Sequence, residues 1–274
     1  MTSEEIYAQV SERYGVAAQG TDTKYASSAT KAFGYLDEEL ALISQGANLG
    51  LGCGNPLATA TLREGETVID LGSGAGLDVF LSAKQVGPKG KAIGIDMNKT
   101  MLSKACKLKS DRGINNADFV ESRITEIPLE TGIADCIISN CVVNLVPHHE
   151  KQKAFDEMFR LLKPGGRVAI SDILAKKPLP EKIRNSIALY VGCVAGASQV
   201  SEYQQYLNNS GFEGVVIVDT QSDLNVYLEA GAGGCCSSAH SNDMAIDLQG
   251  ENLNHWVGSY QIYAVKEEHI SQTN

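Results

Sequence analysis

Short apolar runs rich in β-branched residues alternate with amphipathic stretches through the middle of this 274-residue chain. The runs ETVIDL (66–71), KAIGID (91–96), ADFVE (117–121), ADCIISNCVVNLV (134–146) and RVAISDIL (167–174) each predict a strand. Residues 77–86, 98–112 and a Phe- and Met-containing segment ahead of LLKPGGRV predict helices between them. Strand and helix in alternation predict a parallel sheet, and the nearly unbroken apolar run 134–146 predicts a strand covered on both faces. Residues 1–18 read as a surface-exposed helix, and a further helix is expected to start near Pro56. The pattern breaks at 175–199, which reads as an inserted helical stretch. SEYQQYLNNSGF then predicts a helix stopped at Gly211, followed by strands in EGVVIVDT and YQIYAVKE. Between those strands GAGGCCSSAHS has the composition of a loop. Three regions follow: 1–62 as an N-terminal cap with the first glycine-flanked cysteine, 63–175 as the core, and 176–274 as an elaborated C-terminal region.

The central punctuation is DLGSGAGLD, where the first strand stops at Gly72, Gly74 and Gly76 and a helix begins. Such a turn brings main-chain N–H groups at a helix N-terminus close to a ligand. Its spacing differs from G-x-G-x-x-G, which disfavours a dinucleotide, and it lacks the Lys and Ser/Thr of a triphosphate-binding loop. The next strand ends in Asp96, where a carboxylate can accept two hydrogen bonds from a ribose diol.

Charge narrows the partners. A net charge of −10 argues against a nucleic-acid backbone as ligand. No apolar run approaches a membrane span, and the N-terminus lacks the features of a signal peptide, so the protein is expected in the cytoplasm with no membrane partner. Seven cysteines in such a chain are thiols to be explained singly. Cys53, between Gly52 and Gly54, is expected in an accessible turn where a helix N-terminus favours its thiolate, and Cys193, among small residues, as an approachable thiol. Cys106 and Cys136 are expected as core filler. Asn140 and Cys141 close the fourth strand, at the sheet edge where parallel α/β proteins bind ligands, and Asn140 is suited to hold the cofactor's polar tail there. No C-x-x-C pair or histidine spacing suggests zinc.

The glycine turn and Asp96 resemble the first motifs of the class I S-adenosylmethionine (SAM) methyltransferases. The resemblance implies a Rossmann-like α/β sheet with helices on both faces and an elaborated C-terminal substrate region. It implies SAM as cofactor, bound along Asp70, Gly72, Ser73, Gly74 and Gly76, with Asp96 on the ribose, Met97 on the adenine, Ile124 and Thr125 bordering the adenine and Asn140 on the methionine part. Tyr25 and Ser27 would belong to a lid. More specifically, GANLGLGCGNP, DLGSGAGLD, ISNCVVNL and YVGCVAGA are similar to motifs of the arsenite SAM methyltransferases, over most of residues 5–218. Carried over, Cys53, Cys141 and Cys193 match cysteines that bind trivalent arsenic, and Cys235 and Cys236 resemble a vicinal pair near the C-terminus. Val79 stands where some members carry a fourth cysteine.

The chemistry agrees with that resemblance. Arsenic(III) is soft and trigonal-pyramidal, so three sulfurs leave one lone pair free as a nucleophile. Alignment with an activated methyl can supply about 7–11 kcal/mol of barrier reduction, which needs no His–Asp pair. Thiols give up their protons when they bind. Methylation oxidises arsenic, so glutathione or thioredoxin is expected as reductant, acting on an enzyme disulfide. A SAM methyltransferase of a small organic acceptor such as a sterol or quinone, and a non-catalytic arsenic or SAM sensor, share much of this pattern.

Overall fold

The computed structural model of the chain describes residues 2–19, 26, 30, 31, 34–36, 38, 40, 46–184, 186, 190, 193–225 and 252–268. Helix α1 (Ser3–Gln19) and the single turn α2 (Leu57–Ala60) precede the sheet. Its first four strands are β1 (Thr67–Leu71), β2 (Lys91–Asp96), β3 (Ala117–Glu121) and β4 (Ala134–Asn140). Helices α3 (Leu77–Val86) and α4 (Lys99–Arg112) link β1 to β2 and β2 to β3, and α5 (Lys151–Leu161) leads from β4 into β5 (Leu162–Ala175). After the short α6 (Glu181–Arg184) come α7 (Val200–Ser210), β6 (Glu213–Asp219) and β7 (Val257–Val265).

The sheet order is β3-β2-β1-β4-β5-β7-β6. Strand direction is parallel from β3 through β5, whereas β7 runs antiparallel to both of its neighbours. The sheet is therefore mixed rather than wholly parallel. Strand β7 slots back along β5, with Ile262 opposite Ile170, and this adds an apolar rung inside the sheet instead of at its edge. Chain order reverses between β1 and β4, so the crevice at their C-terminal ends is where an open α/β sheet takes its ligand.

Each face is covered by a helical layer. On one side Phe155, Met158 and Leu161 of α5 interlock with Tyr203 and Leu207 of α7, and the Phe155 and Tyr203 rings meet edge to face at 4.9 Å. On the other, Val79, Leu81, Ala83 and Val86 of α3 pack with Val68, Cys136 and Ile138. Cys136 is buried filler, as expected, and burial pushes its thiol up to about 12. Cys106 is exposed on α4, contrary to the core position expected for it. That helix buries only Met101, Leu102 and Ala105, a face that leaves Cys106 outside. Asn98 caps it, its side chain accepting from the N–H groups of Thr100 and Met101.

Helix α1 is less exposed than its sequence suggests. Tyr7, Val10 and Ala18 are buried, Asn98 Nδ2 donates to Ser11 O at 2.7 Å, and Lys104 Nζ donates to Ala18 O. The helix thus crosses the start of α4. Among the described residues no helix is long and apolar enough to cross a membrane.

One nearly buried ion pair holds the far end of the sheet. Arg167 donates to both carboxylate oxygens of Glu66 and to the carbonyls of Ala60 and Thr61, tying β5 to α2 and to the entry of β1. Burial alone would raise the Glu66 pKa, but the Arg167 hydrogen bonds bring it below its usual value. Arg167→Met strands Glu66 and two carbonyls, and is expected to cost about 3–5 kcal/mol in urea unfolding at neutral pH. Because the folded-state pKa of Glu66 is depressed, this increment is present above the usual carboxylate range and fades as pH falls through the folded value. The gap between variant and wild type should narrow in acid.

Candidate active site

At the tip of β1 the chain turns through Gly72, whose N–H bonds Ile95 O at 2.8 Å, and enters α3 through Gly76. Gly72 has φ +71°, and a Cβ there would sit 2.1 Å from the Val142 side chain. Gly76 has φ +92° and faces the Phe119 ring. Any other residue at these positions would be strained at these angles and would meet the Val142 side chain or the Phe119 and Phe80 rings. The turn is held from β2 by Asp96, which accepts from Gly74 N and Asn98 N, both at 2.8 Å.

The resulting cleft, together with the solvent at its open mouth, spans about 1180 Å³. Its walls include Asp70, Ser73, Asp78, Asp96, Met97, Ile124, Asn140 and Cys141, with Tyr7, Val10, Ser11 and Tyr14 of α1 across the top. Thr125 is not part of the lining and instead hydrogen-bonds Tyr7. The Ser73 hydroxyl is buried, faces Gly94, and has no hydrogen-bond partner among the described residues. Three carboxylates converge here. Burial pushes Asp70 well above its usual pKa, and the charges of Asp78 and Asp96 push it further; burial also raises Asp96, against hydrogen bonds from Asn98, Gly74 and Met97. A cationic ligand would relieve that repulsion.

Beyond β4 the chain reverses at Cys141, which has φ +60°, so the strand ends at Asn140 and residues 143–145 form a 3-10 turn where the apolar run predicted more strand. Cys193 has φ +65°. Two non-glycine residues held in the left-handed region are strained positions of the kind that cluster at functional sites. Both are thiols, and both are buried together with Cys53 in one cluster with Ile173, Val194 and Val10 of α1. Cys53 Sγ, Cys141 Sγ and an Asp172 oxygen lie within 4.8 Å of one another, and Cys193 Sγ donates to Cys141 O at 2.9 Å. Cys141 Sγ is also hydrogen-bonded to the thiols of both Cys53 and Cys193.

Cys53 and Cys193 are thus neither accessible nor approachable from solvent. Cys53 is fully buried because β7 covers its turn, Ser259 Oγ donating to Cys53 O, and because its sulfur lies toward Ser171 O. Burial raises Cys141, with Cys53 reinforcing the shift, and the hydrogen bond that Cys193 donates to Cys141, then burial, raises Cys193. Both shifts favour the protonated form.

Asn140 joins the cleft to the thiols. Its Oδ1 accepts from Cys53 N at 3.1 Å, and its Nδ2 donates to Gly54 O at 2.8 Å and Tyr35 OH at 3.0 Å; Tyr35 in turn donates to Asp78. Its amide is therefore engaged with the Cys53 turn as well as facing the cleft. Asn140→Ala removes three hydrogen bonds of about 1 kcal/mol each and is expected to speed iodoacetamide labelling of Cys53 by at least about tenfold. Peptide mass spectrometry over a time course reads that rate.

Four residues of this region carry no signal in the sequence. Asp172 is fully buried, bonded by Asn144 Nδ2 at 2.9 Å and Tyr203 OH at 3.3 Å, while Lys151, also buried, reaches Asn144 Oδ1 at 3.4 Å. Burial drives Asp172 up and Lys151 down, and each charge partly restores the other. Asp172 sits inside the run RVAISDIL beside Ser171, with nothing in the local pattern to single it out, and Lys151 looks like any helix-start lysine. Val79 lies in the α3 core with Cys136, in a different cluster from Cys53, Cys141 and Cys193. Cys235, Cys236, Tyr25 and Ser27 lie outside the described residues.

Known proteins resemble the chain as follows. The family described as a methyltransferase domain matches residues 62–211. An arsenite methyltransferase of Halobacterium salinarum is 40% identical over an alignment 255 residues long that covers 82% of this chain and 65% of that protein. One from Mus musculus is 31% identical over an alignment 250 residues long that covers 85% of this chain and 65% of its own length. The chain thus spans 65% of the length of each of these curated relatives. Among solved structures, an arsenic(III) S-adenosylmethionine methyltransferase from Chlamydomonas reinhardtii is 25% identical with a TM-score of 0.61, over 89% of this chain and 74% of the other.

Proposed function

This chain belongs to the methyltransferase domain family, and we propose that it transfers methyl groups from SAM to trivalent arsenic held by Cys53, Cys141 and Cys193. One observation carries the reading: three buried cysteines from three separate segments meet beside a cleft lined with carboxylates. Arsenite methyltransferases are also among its relatives.

SAM, when bound, supplies a methyl group already activated on a cationic sulfonium. The cleft suits such a molecule, since a cation beside Asp70, Asp78 and Asp96 would favour their charged forms and the Ser73 hydroxyl offers an unused polar atom. Gly72, Gly74 and Gly76 supply backbone without side-chain bulk on either side of Ser73, Asp96 is the acceptor for a ribose diol, and Met97 and Ile124 offer apolar walls to the adenine. Thr125 backs that wall through Tyr7, and Asn140 serves the methionine part while it fixes the Cys53 turn.

On the substrate side, three thiols can take up neutral arsenous acid without a change of net charge. Three As–O and three S–H bonds break, three As–S bonds form, and three waters leave, so no net charge is stranded in the buried site. The proton release expected from thiol ionisation is thereby cancelled by the departing hydroxides. Cys141 lies on the wall of the cleft, which brings arsenic's remaining lone pair within reach of an activated methyl and keeps water out. After transfer the arsenic is pentavalent. Breaking two As–S bonds while Cys53 and Cys141 join as a disulfide returns two electrons to it, and glutathione or thioredoxin then reduces the disulfide. The reading goes with a cytoplasmic location, where thiols stay reduced, and with arsenic detoxification. A role for Cys235 and Cys236 in capturing arsenic belongs to the same reading.

The test is an incubation of purified protein with SAM, glutathione and arsenite, with methylated arsenicals separated and counted. Methylated product supports the reading. No arsenical product in protein that binds SAM would point to a small organic acceptor.

A further inference from the structure

The third thiol is not held by its own segment alone. Cys193 sits on a tight turn, its N–H bonded to Tyr190 O and Ala197 N bonded to Val194 O. That turn leans on the 3-10 turn that follows Cys141: Tyr190 OH donates to Val146 O at 3.2 Å, and a Cβ on Gly196 would lie 2.1 Å from Asn144 O. Lys151 stands where the two turns meet. It starts α5, its side chain is almost wholly buried, and its ammonium donates to Gly196 O, to Ser198 Oγ at 3.0 Å and to Asn144 Oδ1 at 3.4 Å. One cation thus bonds the segment that carries Cys193 and the segment that follows Cys141. Its hydrogen bonds go to the two segments and not to a sulfur, though its charge also reaches Cys193.

We propose that Lys151 is the positioning residue for Cys193, and that by clamping residues 193–198 onto residues 143–145 it decides whether the pocket offers arsenic two sulfurs or three. The proposal rests on the arsenic reading above. Its content is a specificity. Arsenite has three exchangeable oxygens and draws on all three thiols, whereas an arsenical with one As–C bond has two and is satisfied by Cys53 and Cys141. Releasing the clamp removes Cys193 from the set and leaves the other pair in place, because Cys53 and Cys141 are fixed by Asn140, β5 and β7 instead. A cation is suited to the task for two reasons. It can donate to three acceptors at once, and its charge balances the buried carboxylate of Asp172, which the same Asn144 side chain binds through its other end.

The experiment compares wild type, Lys151→Met, Gly196→Ala and Cys193→Ser by equilibrium dialysis against arsenite and, separately, against phenylarsine oxide. Gly196→Ala keeps the lysine and its charge and opens the same joint from the opposite side, so the test survives a Lys151→Met chain that fails to fold. Lys151→Met and Gly196→Ala should each weaken arsenite binding by about 10–100-fold while phenylarsine oxide stays within about twofold, the pattern of Cys193→Ser. A loss of scaffold would weaken both probes together. If both fall equally in the clamp variants while Cys193→Ser remains selective, or if neither probe changes, Lys151 is not a positioning residue for the third thiol. A wild-type chain that binds neither probe would overturn the arsenic reading and this inference with it.

Discussion

Cys141→Ser should abolish arsenic methylation while leaving the cofactor cleft able to bind SAM. Cys141 is the middle member of the cluster, hydrogen-bonded to the thiols of both Cys53 and Cys193, and it is also the one on the cleft wall. A serine oxygen is a hard, weak ligand for arsenic. The substitution therefore removes one sulfur from a preassembled chelate, worth about 10²-fold or more in effective concentration, and also displaces the lone pair that attacks. Arsenite turnover should fall by at least that factor, counted as methylated product. Calorimetric titration with SAM should be unchanged. Cys106→Ser, on the exposed face of α4, is the matched control and should methylate normally. A Cys141→Ser protein that still methylates arsenite at the wild-type rate would place the acceptor elsewhere.

Asp96→Ala should do the reverse, sparing arsenic binding and removing cofactor affinity. Its carboxylate does structural work before any ligand arrives, since one oxygen holds Gly74 N and the other Asn98 N. The first contact shapes the glycine turn and the second fixes the residue that caps α4. Hydrogen bonds to a charged group are worth about 1.5–3 kcal/mol each, so losing the pair should raise the KM for SAM by about 10²-fold or more. Asp96→Asn should lie between the two, because an amide can accept from one N–H but turns its own N–H₂ toward the other. Dialysis against arsenite should show the thiol site unaffected in both. Equal loss of SAM and arsenite binding would mean that the two sites are one cooperative unit.

The alternation of strands and helices, the glycine turn and the acidic tip of β2 are readable because each has a local cause: apolar periodicity, left-handed backbone, a carboxylate at a strand end. The direction of β7 is not, since an apolar run looks the same whichever way it is threaded, and only its pairing with β5 decides. Local composition also misplaced three thiols. Glycines around Cys53 and small residues around Cys193 suggested exposure, yet β7 and α1 cover both from far along the chain. Cys106 looked like core because its neighbours include leucines, but the buried stripe of α4 passes on the other side. Lys151 and Asp172 had no local signature at all: their meaning comes from Asn144, which binds one with its oxygen and the other with its nitrogen, across three separate elements.

Arsenic K-edge absorption of the protein loaded with one equivalent of arsenite tests the central claim most directly, because it counts the atoms bonded to the metalloid. Three sulfurs and no oxygen, falling to two sulfurs in Cys193→Ser, is the predicted result. An oxygen-bonded spectrum like that of free arsenite would contradict the account.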